Sequence, residues 1–226
     1  MARSALPIVF LHGWCGSTAY WQPVTRLLEG RYTVIVPQLT HDGSLPELPE
    51  RCVVAGHSMG ATLARRLLRH RPNAIAAAVL VDGHLPKFPP DPARREAFLA
   101  PFRTGFAEAA SRYIDTLAGP ATPGWVKEKM LETAEGDGLR ALESLNDSDT
   151  CAWFGTEDDR VDVPVWALWA EPSVMARVGG EHREWMEKWC RKLHYECWPG
   201  ASHFPHLDDP ERFAAGLREF LVRAGI

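Results

Sequence analysis

Gly56-His57-Ser58-Met59-Gly60 is the stretch of sequence that decides the fold. The largely apolar run 51–55 before it predicts a buried strand, and the run 61–68 after it places its apolar residues on one face of a helix. So short a turn from strand to helix requires small residues on both sides, and a glycine stands at each end. The pattern therefore predicts a serine at the tip of a tight turn, with its hydroxyl exposed in a cleft.

A second signal lies where the apolar run 8–11 is followed by His12, Gly13 and Trp14. We expect a strand there, and after it a loop that passes beside the serine turn. If the serine hydroxyl attacks a carbonyl group, backbone N–H groups must stabilise the negative charge that builds on the carbonyl oxygen. We expect those groups to be the amides of Trp14 and Met59. The residues expected to contact a substrate beside this turn are His12, Gly13 and His57.

One histidine is placed for proton transfer. His203 follows a short predicted strand, 193–198, and precedes a predicted helix, 210–223. An imidazole ordinarily has a pKa near neutrality, so it can take the serine proton and return it to a leaving group. His203 is the histidine that lies just past the last predicted strand, so it is the candidate for this role, with His206 as its nearest rival. Asp208 and Asp209 are expected to cap the helix that follows.

These three motifs together resemble the α/β-hydrolase superfamily over almost the whole chain. The resemblance implies that Ser58 is the nucleophile, that His203 is the base, and that the Trp14 and Met59 amides form the oxyanion hole. It also implies an α/β fold whose mostly parallel, doubly wound sheet lacks the family's first two strands and carries a helical lid insertion. The alternation of predicted strands and helices favours the same architecture. We expect no cofactor and no metal ion.

The third member of the expected Ser–His–acid triad is not fixed by the sequence. The resemblance places the acid after the strand 163–169, but Ser173 stands in the usual aspartate position. Two carboxylates remain: Asp82, at the end of the preceding strand, and Glu171, in the usual loop but two residues early. Either one would orient His203 and stabilise its charged form. Both alternatives stay open.

The chain divides into a core, residues 1–83 and 162–226, and an insertion of helical character, residues 84–161. Helices in the insertion are expected near 92–103, 105–118 and 125–134. We expect the insertion to be a lid that excludes water and shapes the pocket. The aromatic residues expected to face the substrate are Phe88, Trp125, Trp153 and Phe154. Such a lining favours a hydrophobic or aromatic substrate.

Within the core we expect strands near 6–12, 32–36, 51–55, 75–81, 163–169 and 193–198, and helices near 19–29, 59–70, 180–191 and 210–223. The segment 37–50 is short and rich in Pro, Gly, Asp and Ser. It leaves one edge of the sheet thinly covered, so a homodimer that covers this edge is an expectation.

Composition narrows the class of protein. The 226 residues suffice for one α/β domain with a sizeable core. A net charge of −4 without a long basic run gives no support for nucleic-acid or membrane partners, so the expected partner is a small-molecule substrate. No apolar stretch approaches the roughly 20 residues of a membrane-spanning helix. The five cysteines are odd in number and lack metal-ligand spacing, which favours a cytoplasmic protein without disulfides.

The leading functional hypothesis is a serine hydrolase that cleaves a small, hydrophobic or aromatic ester or thioester through an acyl-enzyme intermediate. Gly13-Trp14-Cys15 and the segment 200–205 are also similar to the cofactor-free dioxygenases that open quinolone rings on this fold. That similarity implies an alternative, a dioxygenase or carbon–carbon lyase in which His203 removes a proton in the same cleft. The stretch 56–60 is typical of esterases and favours hydrolysis. A protein that only binds a ligand is the third hypothesis, and Ser173 is its best argument.

Overall fold

A parallel sheet of six strands runs through the protein, in a computed structural model that describes residues 6–83, 91–145, 160–171 and 179–226. In chain order the strands are β1 (Ile8–Leu11), β2 (Val34–Ile35), β3 (Cys52–His57), β4 (Ile75–Val81), β5 (Val161–Glu171) and β6 (Cys190–Pro199). Their order across the sheet is β2-β1-β3-β4-β5-β6, and every neighbouring pair is parallel. The carboxyl ends of β1, β3 and β4 therefore meet at one edge of the sheet.

Helices cover both faces of this sheet. The described α-helices are α1 (Gln22–Arg26), α2 (Met59–His70), α3 (Pro92–Thr104), α4 (Phe106–Leu117), α5 (Trp125–Leu131), α6 (Glu135–Leu145), α7 (Gly179–Trp189), α8 (Pro205–Asp208) and α9 (Pro210–Ala224). Val24 of α1 and Phe213 of α9 pack with Phe10 of β1 in one buried cluster. Leu67 of α2 belongs to the cluster on the opposite face, with Val9 of β1. The expected α/β, doubly wound architecture is confirmed.

Strands β1, β3 and β4 are apolar except for His57 at the end of β3, as is typical of strands with both faces buried. Every residue of β1, β3 and β4 lies in the interior. Their sequences accordingly show continuous apolar runs and not the alternation of a half-exposed strand. These buried strands carry, at their carboxyl ends, the loops that follow β1, β3 and β4.

The described helices of the insertion between β4 and β5 pack on the core in one shared hydrophobic cluster. Phe102 of α3, Ile114 of α4, Met130 of α5 and Leu142 of α6 are all buried in the same cluster as Leu11 of β1. Three of these helices match the expected ones within a few residues. The fourth, α6, was not predicted, because Gly136 and Gly138 lower its intrinsic helix propensity.

Several predicted boundaries differ from the structure. The helix expected over 19–29 is a 3-10 turn, Thr18–Trp21, followed by α1, and Pro23 stands in the first turn of α1, where its missing N–H costs nothing. The strand expected over 32–36 is only two residues long. Residues 190–191, expected to be helical, begin β6. β5 runs over 161–171, so it begins one residue before the expected core boundary at 162.

None of the helices in the described residues is both long enough and apolar enough to span a bilayer. Across the same residues, no three His, Cys, Asp or Glu side chains come together in a way that could hold a metal ion.

Candidate active site

The turn between β3 and α2 has the strained backbone that the sequence predicts. Ser58 has φ 53° and ψ −114° and is partly exposed, immediately before the first residue of α2. A methyl group added at Gly56 would lie 2.1 Å from the carbonyl oxygen of Gly60, and one added at Gly60 would lie 2.1 Å from that of Leu11. Neither position can hold a larger residue without moving backbone. The two glycines thus let β1, β3 and α2 approach one another and hold the serine at the tip.

A buried carboxylate contacts the candidate base. His203 Nδ1 lies 2.7 Å from Asp82 Oδ2, and both side chains are almost completely buried. Because the carboxylate accepts, the proton lies on Nδ1, and Nε2 is left with a free lone pair. Asp82 directly follows β4 and has φ 38°. Its Oδ1 accepts from the amide of Ala170 at 3.1 Å, so both carboxylate oxygens have a donor.

Glu171, the other candidate acid, lies elsewhere. It is the last residue of β5 and is exposed. Its carbonyl oxygen accepts from the amide of Gly200 at 2.9 Å, and no described contact joins its carboxylate to His203. Ser173 lies outside the described residues. The structure therefore brings Asp82, and not Glu171, to the histidine.

The loop after β1 passes directly beside the serine turn. A methyl group added at Gly13 would lie 2.9 Å from His57 Nδ1 and 3.2 Å from the Cβ atom of Ser58. Among the described residues, no acceptor takes the amide N–H of Trp14 or of Met59. Both amides thus lack a partner among these residues, and their role as an oxyanion hole stays a prediction.

The insertion holds this loop in place. The Trp14 indole Nε1 donates to the carbonyl oxygen of Gly138 at 2.8 Å, and Thr133 Oγ1 donates to that of Cys15 at 3.3 Å. The Trp14 ring lies in an aromatic cluster formed by Trp14, Phe98, Phe102, Phe106 and Tyr113. No local sequence pattern predicted these anchors, because they join residues more than a hundred positions apart.

The comparisons with known proteins place the chain in a family. A family model described as the alpha/beta hydrolase family matches residues 44–216. This chain belongs to that family. A thermophilic esterase from Thermogutta terrifontis shares its fold, with a TM-score of 0.77 and 21% sequence identity over 98% of this chain and 91% of the esterase.

Two curated relatives are similar over part of their length. The chain is 33% identical to a pimeloyl-(acyl-carrier protein) methyl ester esterase from Aromatoleum aromaticum over 49% of this chain and 49% of that protein. It is 24% identical to the biotin biosynthesis bifunctional protein BioHC from Cellvibrio japonicus over 94% of this chain and 47% of that protein. The chain thus spans about half the length of these relatives.

Two buried histidines, His12 and His57, lie next to the serine turn and the loop that passes beside it. His12 Nδ1 donates to the carbonyl oxygen of Gly13 at 3.0 Å, and His12 Nε2 accepts from the amide of Leu39 at 3.2 Å. Burial lowers the pKa of His12 to about 4, so its ring is neutral near pH 7. His57 Nε2 donates to the carbonyl oxygen of His203 at 2.8 Å. Both rings are buried and form hydrogen bonds with backbone groups. A contact between either ring and a substrate stays a prediction.

Four aromatic residues were expected to face the substrate, and of these the structure describes Trp125. It begins α5, is 37% exposed, and its ring lies edge-on to that of Tyr20 at 5.7 Å. The Tyr20 hydroxyl donates to the carbonyl oxygen of Val126 at 2.9 Å. Phe88, Trp153 and Phe154 lie outside the described residues.

A cluster of three histidine rings lies behind the site. The ring of His57 is 4.7 Å from that of His203 and 4.5 Å from that of His206, and His206 lies 4.2 Å from the ring of Trp21. Burial, and to a lesser extent the charge that His203 can carry, lowers the pKa of His206 to about 3. The same causes, together with His206 itself, hold the pKa of His57 well below its usual range. His57 and His206 are therefore neutral in the folded protein.

Acidification from pH 7 to pH 5 is expected to lower the free energy of unfolding. Each histidine with a lowered pKa stays neutral in the folded protein. In the unfolded chain the same histidine takes up a proton below its ordinary pKa of 6.5. The stability present at pH 7 is therefore lost as the pH falls from 6.5 toward the pKa of the folded state. For His206 alone the loss is about 2 kcal/mol at pH 5. Urea unfolding at pH 7 and pH 5 measures this loss of unfolding free energy. The loss should be smaller by about this amount in His206→Phe than in the wild-type protein. An equal loss in both proteins would contradict the assignment.

Proposed function

We propose that the protein is a carboxylic ester hydrolase that uses Ser58 as its nucleophile and cleaves a small, hydrophobic or aromatic ester or thioester. The observation that carries the proposal is the buried hydrogen bond of 2.7 Å between His203 and Asp82 at the edge of the sheet where Ser58 is presented. An imidazole held by a carboxylate is the arrangement that activates a serine.

The reaction follows from the roles of these groups. Ser58 Oγ attacks the substrate carbonyl while His203 Nε2 takes its proton, and Asp82 stabilises the imidazolium that forms. The free amides of Trp14 and Met59 hold the oxyanion, an interaction that typically contributes about 3–4 kcal/mol per donor. His203 then protonates the leaving group. A water molecule, activated by the same histidine, hydrolyses the acyl-enzyme.

The helices and aromatic side chains of the insertion support a hydrophobic or aromatic substrate. We propose that helices α3–α6 act as the lid of the site, because they pack against the loop that carries Trp14. Phe98 and Tyr113, in the aromatic cluster, are only partly buried and can contact an apolar acyl or leaving group. A relative named as a methyl ester esterase supports the same class of reaction. The described cysteines are free, which agrees with a reducing compartment such as the cytoplasm.

The proposal is tested with p-nitrophenyl acetate and butyrate. The wild-type protein should hydrolyse both esters, with a burst of p-nitrophenol that approaches the enzyme concentration when hydrolysis of the acyl-enzyme is slower than its formation. A fluorophosphonate probe should label one site, and peptide mapping should locate the label on Ser58. Absence of both turnover and labelling would show that the serine does not act as a nucleophile.

A second reaction type is supported by the position of the acid after β4. The Asp82–His203 pair can also act as a base toward a substrate proton, which is the chemistry of the cofactor-free dioxygenase or carbon–carbon lyase alternative. Oxygen uptake with a 3-hydroxy-quinolone that survives Ser58→Ala would favour this alternative. Loss of all activity in that variant favours hydrolysis.

A further inference from the structure

The loop that carries His203 is bound to a second carboxylate, Asp208. The amide of Ser202 donates to Asp208 Oδ2 at 2.6 Å, and the Ser202 hydroxyl donates to Asp208 Oδ1 at 2.9 Å. The same hydroxyl accepts from the amide of Phe204 at 3.0 Å. Asp208 therefore fixes the backbone on both sides of the histidine, directly at Ser202 and through its hydroxyl at Phe204.

Asp208 also joins this loop to the insertion. Thr122, in the connection between α4 and α5, donates its hydroxyl to Asp208 Oδ1 at 2.8 Å and lies 2.8 Å from the Ser202 hydroxyl. Its hydroxyl oxygen accepts from the amide of Gly119 at 3.0 Å. A methyl group added at Gly119 would lie 2.9 Å from the Cβ atom of Ser202, so the two loops are in close contact. The carboxylate thus lies at the junction of two segments.

Both polar groups of the His203 backbone, the amide and the carbonyl oxygen, have hydrogen-bond partners. Its amide donates to the carbonyl oxygen of Leu117, the last residue of α4, at 3.0 Å, and its carbonyl oxygen accepts from His57 Nε2 at 2.8 Å. With Ser202 and Phe204 also fixed, the amides of three consecutive residues have partners. Only the side-chain torsions of His203 remain, and Asp82 sets those.

The sequence predicted a different role for Asp208. Both aspartates before α9 were expected to cap that helix, but the structure divides the roles. Asp209 is the cap, because its Oδ1 accepts from the amide of Arg212 at 2.9 Å. Asp208 ends the short helix α8 and faces the histidine loop instead. The neighbouring carboxylates therefore offer a matched pair, one beside the candidate base and one that only caps a helix.

We propose that Asp208 is a positioning residue for His203 and that, through Thr122, it makes the placement of the base depend on the insertion. The inference rests on the proposed function, since it concerns the base of that reaction. A catalytic group must be held within about 0.5 Å of its productive position, and hydrogen bonds to an ionised acceptor are stronger than neutral ones. Removal of the carboxylate leaves the Ser202 amide without its acceptor and both hydroxyls without their charged partner, and the ring of His203 shifts relative to the serine.

The test compares Asp208→Ala with the matched control Asp209→Ala. A misplaced base slows the chemical step without weakening binding, so Asp208→Ala should lower kcat for p-nitrophenyl butyrate by about tenfold and change KM by less than about twofold. Asp209→Ala should lower the melting temperature through the lost cap and leave kcat unchanged. Equal kcat values in the two variants, or an effect on KM alone, would overturn the proposal.

The role of the insertion is tested at Thr122. Thr122→Val removes the hydroxyl and keeps the shape, and it should lower kcat by about threefold, whereas Thr122→Ser should retain the wild-type value. Because these changes are small, both variants should fold even if Asp208→Ala does not. Wild-type kcat in Thr122→Val would show that the insertion does not position the base.

A readout independent of turnover separates this inference from the proposed function. The His203 Nδ1 proton, held by Asp82, should give a downfield NMR signal that exchanges slowly with water. Exchange should become several-fold faster in Asp208→Ala and Thr122→Val and stay unchanged in Asp209→Ala. If the wild-type protein hydrolyses no ester, the proposed function fails, but this comparison still decides the inference. Unchanged exchange in all three variants would overturn it.

Discussion

Ser58→Ala is expected to reduce kcat for p-nitrophenyl butyrate by about 10⁶-fold. Ser58 is the residue at the tip of the tight turn, beside the amides of Trp14 and Met59, which have no acceptor among the described residues. Alanine keeps the Cβ atom, and no hydrogen bond of the described residues involves the Ser58 hydroxyl, so the fold should be retained. Labelling by the fluorophosphonate probe should disappear in parallel with turnover, and circular dichroism should be unchanged.

Ser17→Ala is the matched control for this substitution. The Ser17 hydroxyl is buried close in sequence to the loop of Trp14 and has no hydrogen-bond partner among the described residues. Its removal should leave turnover and labelling intact. If Ser58→Ala keeps more than a small fraction of the esterase activity, the acyl-enzyme mechanism is wrong. Cys15, a thiol in the same loop, is disfavoured as a nucleophile because burial raises its pKa to about 12 and keeps the thiol protonated.

Asp82→Asn is expected to lower kcat by about 10⁴-fold, the loss seen when a triad carboxylate becomes an amide. The amide cannot stabilise an imidazolium, and its NH2 group would favour the histidine tautomer that carries its proton on Nε2, which cannot accept from the serine. Asparagine tolerates the positive φ of this position and can still accept from the amide of Ala170, so the fold should persist. Steady-state kinetics at pH 7 and thermal melting measure the two effects separately.

Glu171→Gln is the control for the assignment of the acid. The Glu171 side chain is exposed and has no described contact with His203, so kcat should stay within about twofold of the wild-type value. A collapse of activity in Glu171→Gln together with normal activity in Asp82→Asn would exchange the two roles.

Local sterics explain what the sequence could predict. The spacing of Gly56 and Gly60 around Ser58 depends on contacts within a few residues and on the neighbouring strand, so the pattern reveals the turn without a structure. The position of His203 after the strand and before the last helix is likewise a matter of chain order. Both predictions depended on geometry that any chain of this fold must satisfy.

Long-range contacts explain what the sequence could not decide. The choice between Asp82 and Glu171 depends on the positions of the ends of β4 and β5 relative to the loop after β6, which only the assembled sheet determines. Helix α6 was missed because propensity disfavours Gly138, yet a methyl group there would lie 2.2 Å from the Phe106 ring. Packing required the glycine and overrode its cost in a helix.

The sequence likewise could not distinguish the roles of Asp208 and Asp209, although the two residues are adjacent. Two adjacent carboxylates before a proline are typical of a helix start, and the pattern predicts a cap without distinguishing between them. Their contacts differ because Asp208 is the last residue of α8, whereas Asp209 stands directly before the first residue of α9. Thr122, the residue that separates their roles, lies 86 positions from Asp208.

The hydrogen bonds between the insertion and the core have a consequence for engineering. Gly138 binds the indole of Trp14, Leu117 binds the amide of His203, and Thr122 binds Asp208, so the insertion contacts the loops on both sides of the serine. A chimera that received this segment from a homologue, chosen to alter selectivity, would lose these bonds unless the donor segment supplied equivalent ones. Under the proposed function, selectivity and rate are therefore coupled, and recombination that alters one must exchange the segment together with its partners in the core.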